Sequence, residues 1–315
     1  MTLQHSRLWT RSAFFALFVL APPLDLFRFD LNLGYLIVFG HTWTLGLDLF
    51  LAGEVDAAQA AMHMLLRGLV PIMLLVGTGI WISWRYGRLY CGWLCPHFSV
   101  VEMLNGLMRR ASGKPTLWDA RPLPAERVDG TPQTVNRHYW WGLMIAIPAL
   151  AFLWAVSLLS YLLPPWDIYH HLAHFTLPRG QGLFLAAATL FFSLEFLLAR
   201  HLFCRFGCAV GLFQSLVWMA NKRALVVGFA RERVDECVSC HHACDNACPM
   251  RLKPRAIKRS ILACTQCAQC IEACEQVQGR QGRQSLLYWV ADEQALDVSD
   301  RELGHKPKIG SGDRA

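Results

Sequence analysis

Eight of the 12 cysteines in the chain fall into two short runs, and in each run only two or three residues separate neighbouring thiols. Thiolates are soft ligands, and four of them on a short stretch of backbone can converge on one soft metal centre. The chemistry that this spacing favours is the binding of iron and sulfide for electron transfer. The first run is Cys237, Cys240, Cys244 and Cys248, and the second is Cys264, Cys267, Cys270 and Cys274.

The second run has the C-x2-C-x2-C-x3-C spacing of bacterial ferredoxins, which bind cubane iron–sulfur clusters. The first run departs from this spacing by one extra residue between Cys240 and Cys244. In two-cluster ferredoxins the fourth cysteine of each run binds the cluster of the other run. We therefore predict two [4Fe–4S] clusters as cofactors, with crossed ligands. One set is Cys237, Cys240, Cys244 and Cys274, and the other is Cys264, Cys267, Cys270 and Cys248.

Two other uses of these cysteines compete with the cluster hypothesis. A structural zinc site needs four ligands, which usually come as two C-x2-C pairs well separated in the sequence. Disulfides need an oxidising compartment, whereas the topology predicted below places this segment in the cytoplasm. The close spacing of the cysteines therefore favours clusters over both alternatives.

The composition indicates a membrane protein surrounded by lipid. Of the 315 residues, 54% are hydrophobic and only 17% are charged, whereas soluble domains carry about 25% charged residues. The 12 Trp and 18 Phe suit the aromatic belts found at membrane interfaces. The net charge of +7 needs no nucleic acid partner, because the basic residues collect in particular loops.

The apolar segments predict an all-α polytopic membrane domain with four transmembrane helices, within residues 1–228. Each segment has about 20 residues, enough to cross a hydrocarbon core of roughly 30 Å. Residues 34–52 are also apolar, but their glycines and Asp48 favour a re-entrant or surface-lying segment over a further span. A C-terminal ferredoxin-like domain over 229–290 and a polar tail over 291–315 follow. The predicted spans are 12–29, 64–84, 139–163 and 181–203.

Basic residues determine the predicted orientation. Lys and Arg are absent between Arg28 and Arg67, and they gather at the N-terminus and in the loop 85–137. Loops rich in Lys and Arg face the cytoplasm. We therefore expect a multi-pass protein of the bacterial inner membrane, with both termini and the cluster domain in the cytoplasm. Residues 97–110 are expected to form an amphipathic helix along the membrane surface.

Two further cysteine pairs form an internal repeat. A predicted span followed by an aromatic residue and a C-x3-C motif occurs twice, with cysteines Cys91 and Cys95 in one copy and Cys204 and Cys208 in the other. Two predicted spans separate the copies, so both motifs are expected at the cytoplasmic face. Their four thiolates could hold a third cluster or another soft metal. The alternative is that they are free thiols in tightly packed turns, since free cysteine is often a small buried hydrophobe.

Five stretches of sequence, together with the cysteine motifs, carry a family resemblance. They are Arg28–Trp43, Tyr90–Pro96, Phe213–Val217, Lys222–Val227 and Cys270–Val277. The chain resembles the NapH/NosR/FixG group of membrane polyferredoxins, and within it the FixG/RdxA/CcoG accessory proteins of cbb-type cytochrome oxidases. Compared with the FixG-type proteins, it is expected to be shorter and to lack their C-terminal span and immunoglobulin-like domain, and Ala209 replaces a usual proline.

The resemblance implies electron transfer at the inner membrane, with copper reduction for cytochrome oxidase assembly as a proposed role. NapH-like relatives take electrons from quinol, so a quinone or quinol is an expected partner. Two polar residues near the C-x3-C motifs are the candidate catalytic residues. Glu195 lies in the fourth predicted span, where a carboxylate costs roughly 2.5–3.5 kcal/mol. It is either the proton acceptor for quinol or a structural partner of an Arg or His of another helix, such as Arg200 or His201. His97, directly after Cys95 and a proline, could donate a hydrogen bond to a quinone carbonyl.

Methionine and histidine side chains near the outer face offer a weaker copper hypothesis. They lie in Met62–Met64 and in the loop that holds His170, His171 and His174. Thioether and imidazole groups bind Cu(I), but ordinary interfacial residues are the favoured interpretation.

We therefore expect a membrane-bound iron–sulfur electron-transfer protein. Its donor is expected to be the quinol pool or a cytoplasmic donor. Its acceptor is expected to be a metal centre or a redox partner protein, such as an oxidase assembly factor or a reductase subunit. Whether it is an enzyme, either a quinol dehydrogenase or a metal-reducing oxidoreductase, stays open. The alternative is a non-catalytic assembly or redox-sensing module.

Overall fold

A computed structural model describes residues 3–119, 122–124, 131–132, 134–237, 240 and 242–299. The predicted polar tail is described only as far as residue 299, and the rest of it lies outside the described residues. The helices are α1 (Leu3–Leu20), α2 (Leu47–Leu51), α3 (Ala57–Tyr86), α4 (Leu89–Trp93), α5 (Pro96–Ser112), α6 (Tyr139–Ser160), α7 (Pro165–Ala173), α8 (Arg179–Ala199), α9 (Ala209–Ala220), α10 (Ala243–Ala247), α11 (Gln269–Gly279) and α12 (Glu293–Ser299). The strands are β1 (Phe27–Asp30), β2 (Tyr35–Val38), β3 (His41–Trp43), β4 (Val226–Phe229) and β5 (Leu287–Val290).

Three helices in the described part of the chain, α3, α6 and α8, are long and apolar enough to cross a membrane. They contain most of the predicted spans 64–84, 139–163 and 181–203. A helix that is apolar all around its circumference is stable only in a core or in lipid. The three helices therefore indicate that the protein associates with a membrane.

The predicted span over residues 12–29 does not form as one helix. α1 begins at Leu3 and ends at Leu20, and turns and strand β1 follow it. Pro22 and Pro23 stop the helix, because proline lacks a backbone donor and its ring clashes with the preceding turn. The prediction of four long apolar helices is therefore corrected to three for the residues described here.

Residues 27–43 form an antiparallel sheet in the order β1-β2-β3, so the membrane part is not all-α as predicted. Gly34 and Gly40 lie in its turns with φ of 72° and 77°, a conformation that other residues rarely adopt. The sheet is joined to the end of α6, since Phe29 N donates to Tyr161 O at 2.9 Å. The ambiguous apolar segment 34–52 thus holds two strands and the short helix α2. This agrees with the prediction that it is not a span.

The predicted amphipathic helix is α5, whose apolar side is buried against α6. The buried core between them includes Val101, Leu104, Met108, Leu143 and Trp154. Burying each large apolar side chain contributes about 1.5–3 kcal/mol, so this contact fixes α5 firmly. The residues just before α5, which include the first C-x3-C motif, are held in place with it.

An antiparallel ribbon of β4 and β5 closes the segment that contains both cysteine runs. Val226 pairs with Val290 at one end of the ribbon, and Phe229 pairs with Leu287 at the other. The ribbon is attached to the helical part where Leu225 N donates to Arg85 O at 2.9 Å. The predicted domain boundary at residues 228 and 229 therefore falls inside β4.

Candidate iron–sulfur sites

The two cysteine runs fold so that each of two cavities is lined by three cysteines of one run and one cysteine of the other. The first cavity is lined by Cys237, Cys240, Cys244 and Cys274, with Phe229, Leu286 and Leu287 among its apolar walls. The second cavity is lined by Cys248, Cys264, Cys267 and Cys270, with Val227, Met250 and Ile261 among its walls. This is the crossed grouping that the spacing predicts, and the assignment of these thiols as ligands stays a prediction.

Backbone conformation and backbone N–H groups shape the chain around these sulfur atoms. Gln266 and Ala268 have φ of 48° and 61°, so the backbone turns sharply within the second run. Leu252 N donates to Cys248 Sγ at 3.4 Å, and Leu286 N donates to Cys274 Sγ at 3.3 Å. Hydrogen bonds to sulfur are among the factors that set the reduction potential of an iron–sulfur cluster. Apolar cavities lined by four thiols and amide donors fit such a cluster.

Burial changes the acidity of the thiols that line the second cavity. It raises the pKa of Cys248 and of Cys264 to about 12. The pKa of Cys270 is also raised well above its ordinary value, mainly by burial. These thiols are therefore neutral until a metal replaces their protons, because the thiolate is the form that binds metal. Metal loading at this cavity releases protons and is expected to depend on pH.

Within the described residues, no three His, Cys, Asp or Glu side chains form a group that could hold a single metal ion. A cubane cluster does not require such a group, because each of its four thiolates binds a different iron atom.

The two C-x3-C motifs have the same local structure. In each motif the second cysteine immediately precedes a helix, Cys95 before α5 and Cys208 before α9. Cys208 Sγ also accepts a hydrogen bond from Gly211 N at 3.5 Å. The N-terminus of a helix carries a partial positive charge, which favours a thiolate over a thiol. The internal repeat in the sequence is therefore also a structural repeat.

The structure brings the two motifs together. Burial raises the pKa of Cys95 to about 12, and the neighbouring thiols of Cys91 and Cys208 add to the rise. Burial also raises the pKa of Cys204, and Cys95 and Cys91 again add to it. The Sγ atom of the buried Cys91 lies 3.2 Å from Gln214 Oε1. We call these four residues the membrane-side thiols, which lie near one another, and a third cluster held by them stays a prediction.

The membrane-side thiols adjoin the second cysteine run. A Cβ atom at Gly92 would collide with Thr265 O, so only glycine lets the first C-x3-C motif reach the backbone between Cys264 and Cys267. Trp93 Nε1 donates to Gln266 O at 3.0 Å in the same contact. The membrane-side thiols and the second cavity therefore occupy one continuous region of the molecule.

Glu195 and His97, the two candidate catalytic residues, are in direct contact. His97 Nε2 lies 2.9 Å from Glu195 Oε2, and His97 Nδ1 lies 3.6 Å from Cys204 Sγ. The Glu195 side chain is only 5% exposed, and its Oε1 atom has no hydrogen-bond partner among the residues described. The rings of Trp154, Phe196 and Phe203 surround the imidazole. A carboxylate, an imidazole and a thiol are therefore neighbours in space, in that order, near the end of α8.

The local backbone explains how Glu195 reaches this position. It begins the π-helical turn Glu195–Ala199 that ends α8, and π-helical turns are frequent at functional sites. Neither the Arg200 side chain nor His201 bonds to the Glu195 carboxylate in the described chain, but His97, from another helix, lies 2.9 Å from it, so the structural pair and the proton acceptor both stay open. Arg200 Nε donates to Phe196 O at 2.7 Å instead. The partner of Glu195 is therefore His97.

Sequence reasoning missed an ionic network beside Cys267. Arg7 Nη2 and Arg11 Nη1 each lie 2.7 Å from Glu102 Oε2, and Gln4 Nε2 donates to Cys267 O at 2.8 Å. In the sequence alone, the two arginines indicate only the orientation of the chain. The two arginines are four residues apart, which places both on one side of a helix. This spacing could have indicated that they share an acidic partner.

The histidines considered as copper ligands do not belong to a group of three or more His, Cys, Asp or Glu side chains that could hold a metal ion in the described part of the chain. The rings of His170 and His174 stack with centroids 4.2 Å apart, and His171 Nδ1 lies 3.1 Å from Thr176 Oγ1. His63 packs beside Gly46 instead. The favoured interpretation of these residues as ordinary interfacial side chains is retained.

Comparison with known families connects the C-x3-C motifs to iron–sulfur chemistry. A family described as a 4Fe-4S binding domain matches residues 69–115 and 181–226. Each matched range contains one C-x3-C motif. The chain therefore has two copies of the domain, which is consistent with two iron–sulfur clusters. No curated protein and no solved structure matches the chain.

The match and the thiol-lined cavities define the class of the protein. It is an iron–sulfur protein of ferredoxin type, and three of its helices are able to cross a membrane. A 4Fe-4S binding domain indicates electron transfer as the general function.

Proposed function

We propose that the protein oxidises quinol in the bacterial inner membrane and passes the electrons to a partner, as a member of the NapH/NosR/FixG group. Electrons enter at the membrane-side thiols, next to Glu195 and His97, and leave from the first cavity. The observation that carries this proposal is the order of the groups, in which a proton-accepting pair is followed by three adjacent sets of four thiols.

Contacts between the three sets of thiols support this order. Cys95 and Cys204 belong to the same apolar cluster as Cys248 and Cys264 of the second cavity. Cys244 of the first cavity lies close enough to Cys270 of the second to add to the rise in its pKa that burial causes. When bound at such positions, iron–sulfur clusters accept and release one electron at a time. Both cavities and the membrane-side thiols together would thus hold a series of redox centres.

Quinol chemistry explains the pair beside the membrane-side thiols. Oxidation of a quinol to a quinone releases two protons and two electrons, so the site needs a proton acceptor next to an electron acceptor. Glu195 Oε1 has no other partner among the described residues and is able to accept a hydrogen bond from a quinol hydroxyl. His97 lies between this carboxylate and Cys204, which links the proton acceptor to the electron acceptor.

A surface groove beside the first cavity is the proposed exit for electrons. Phe229 and Arg255 line both the groove and the first cavity, and Arg231 adds positive charge to the groove. Charge complementarity favours a partner protein with an acidic surface. Delivery of electrons to copper during cytochrome oxidase assembly is the version of this function that the family resemblance favours.

The proposal is tested by mixing the anaerobically purified protein with a quinol analogue and following reduction of the clusters by absorbance. We expect rapid reduction of the wild type. Glu195→Gln keeps the shape of the side chain but removes the proton acceptor, so the rate should fall by about 10²–10⁴-fold. Reduction of this variant by dithionite should stay normal, because dithionite needs no proton acceptor in the protein.

The matched control is Glu54→Gln, which changes an exposed carboxylate far along the chain from the thiols and should leave the rate unchanged. If the wild-type clusters are intact but quinol does not reduce them, the carrier proposal is wrong. The assembly or redox-sensing alternative would then be favoured.

A further inference from the structure

Arg88 is a buried cation that faces two sets of thiols. The residue is only 1% exposed, and its Nη2 atom donates to Cys204 O at 2.7 Å. Burial raises the pKa of Cys91 and of Cys204, and the charge of Arg88 opposes both rises. Arg88 opposes the same effect at Cys264 in the second cavity, where burial raises the pKa to about 12. The guanidinium is therefore close to thiols of two candidate sites.

Much of this guanidinium has no partner. Its Nε and Nη1 atoms make no hydrogen bond to any residue that the structure describes. An arginine stays protonated in a protein, and burying a charge without compensation costs several kcal/mol. A buried charge of this kind needs an anion beside it, and the nearest available anions are the thiolates that form when metal is bound.

Gly211 independently supports a specific position for Arg88, because its lack of a side chain makes room for the guanidinium. A Cβ atom at this position would collide with Arg88 Nη2 and lie 2.9 Å from Cζ. Gly211 lies in the first turn of α9, and glycine is a poorer helix former than alanine. Its φ is not positive, so the backbone does not require glycine. The requirement for glycine comes from the position of Arg88.

We infer that Arg88 is the shared counter-charge of two iron–sulfur sites, the membrane-side thiols and the second cavity, and that it raises their reduction potentials. A cubane core bound by four thiolates carries a net negative charge, which grows on reduction, and net charge is one of the determinants of potential. A fixed cation therefore stabilises the reduced form more than the oxidised form. The inference rests on the proposed function only in requiring that both sets of thiols hold clusters.

The test is a mediator-assisted redox titration of the full-length, anaerobically purified protein, followed by electron paramagnetic resonance. Signals are assigned to the two sites by their loss in Cys95→Ser and Cys264→Ser. We expect Arg88→Met to shift the ratio of reduced to oxidised centre at least tenfold towards the oxidised form, which is 59 mV for a one-electron couple. Arg88→Lys keeps the charge and should recover part of the shift.

The matched control is Arg85→Met. Arg85 lies one turn earlier in the chain, is more exposed and is paired with Asp292 at 2.9 Å, so its loss should leave the potentials unchanged. Gly211→Ala should lower the potentials at full iron content, because it displaces the guanidinium without removing a charge. If Arg88→Met does not fold, the reduction potentials of Gly211→Ala and Arg88→Lys test the inference instead.

Metal-free protein gives a second readout that a purely structural role would not produce. Arg88→Met should raise the unfolding temperature of the metal-free protein, since it removes an uncompensated buried charge, and should lower that of the loaded protein. Unchanged potentials in Arg88→Met, an equal shift in Arg85→Met, or unaltered signals in Cys95→Ser would each overturn the inference. The titration uses dithionite and no quinol. A failure of quinol oxidation would therefore refute the proposed function alone.

Discussion

Cys248 belongs to the first run by sequence but lines the cavity of the second run. We therefore predict that Cys248→Ser removes the cluster of the second cavity and spares that of the first, because a hydroxyl is a poor substitute for a thiolate on iron. Spectra and iron content of the purified variant measure this. Cys274→Ser is the reciprocal control and should spare the second cavity. Loss of the same cluster in Cys248→Ser and Cys240→Ser would contradict the crossed grouping.

His201 should make the fold sensitive to acid. Burial lowers its pKa from 6.5 to about 4, so the unfolded chain binds more protons than the folded chain between these two values. Stability is therefore lost as the pH falls from 6.5 towards 4, by up to about 1.4 kcal/mol per pH unit. His201→Leu should flatten the dependence of the unfolding temperature on pH in this window.

The control for this measurement is His5→Gln, which replaces an exposed histidine. An unchanged slope in His201→Leu would show that other groups cause the acid sensitivity.

The roles of single residues were predictable from the sequence where the residues that act together are close neighbours in the chain. Cysteine spacing identified the crossed sets of thiols because a few residues determine how ligands converge. Glu195 and His97 were identified as unusual polar residues, but their contact spans 98 positions of sequence. The role of Arg88 was not predictable, because a basic residue at the end of a span is also the ordinary signal for a cytoplasmic loop.

At the scale of elements, we expect stability and iron content to be most sensitive to changes where the first C-x3-C motif contacts the second cysteine run. Gly92→Ala places a methyl group against Thr265 O, and overpacking of this kind costs typically 1–3 kcal/mol. We predict a lower unfolding temperature and a loss of iron from the membrane-side thiols and the second cavity. Thermal unfolding and iron analysis of the purified variant measure both effects.

Gly106→Ala is the matched control for this prediction. Gly106 is an exposed position of α5 with open space around it, so alanine should be neutral or stabilise the helix by up to about 1 kcal/mol. Full iron content in Gly92→Ala would show that the two loops are able to separate without loss of a cluster.

Elements were predictable where apolar runs are long and uninterrupted, as in α3, α6 and α8. The prediction failed for α1 at both ends, because Pro22 and Pro23 stop the helix early and because Glu102, which is distant in sequence, pairs with Arg7 and Arg11 in its first half. The small sheet was missed because its strands have only three or four residues. Segments of this length carry too few positions for an alternating pattern to be recognised.

At the scale of the whole molecule, contacts near the two ends of α1 bear on where the N-terminus lies. Gln4 bonds to Cys267 beside the cysteine-rich part, whereas Phe29, which follows α1, bonds to Tyr161 just after α6. α1 has 18 residues, or about 27 Å at 1.5 Å per residue. The N-terminus thus lies beside the thiols, although α1 lacks the composition of an ordinary span.

We predict that the N-terminus, the α5–α6 loop and the cysteine-rich part all face the cytoplasm, because basic residues gather in these regions. Reporter fusions after Asp56 and Trp166 should give extracytoplasmic activity, and a fusion after Pro132 should give cytoplasmic activity. An extracytoplasmic result at Pro132 would reverse the topology, and it would place the thiols in an oxidising compartment.

The crossed grouping has a consequence for the order of events during synthesis. The first cavity takes Cys274 as its fourth cysteine, and β5 closes the ribbon only at residues 287–290. Neither feature exists while the ribosome is still translating the first run. The apolar helices precede both runs in the chain, so we expect them to leave the ribosome and enter the bilayer first. We therefore expect iron to be delivered to a chain that is already embedded, and a cell short of iron to accumulate the protein without its clusters.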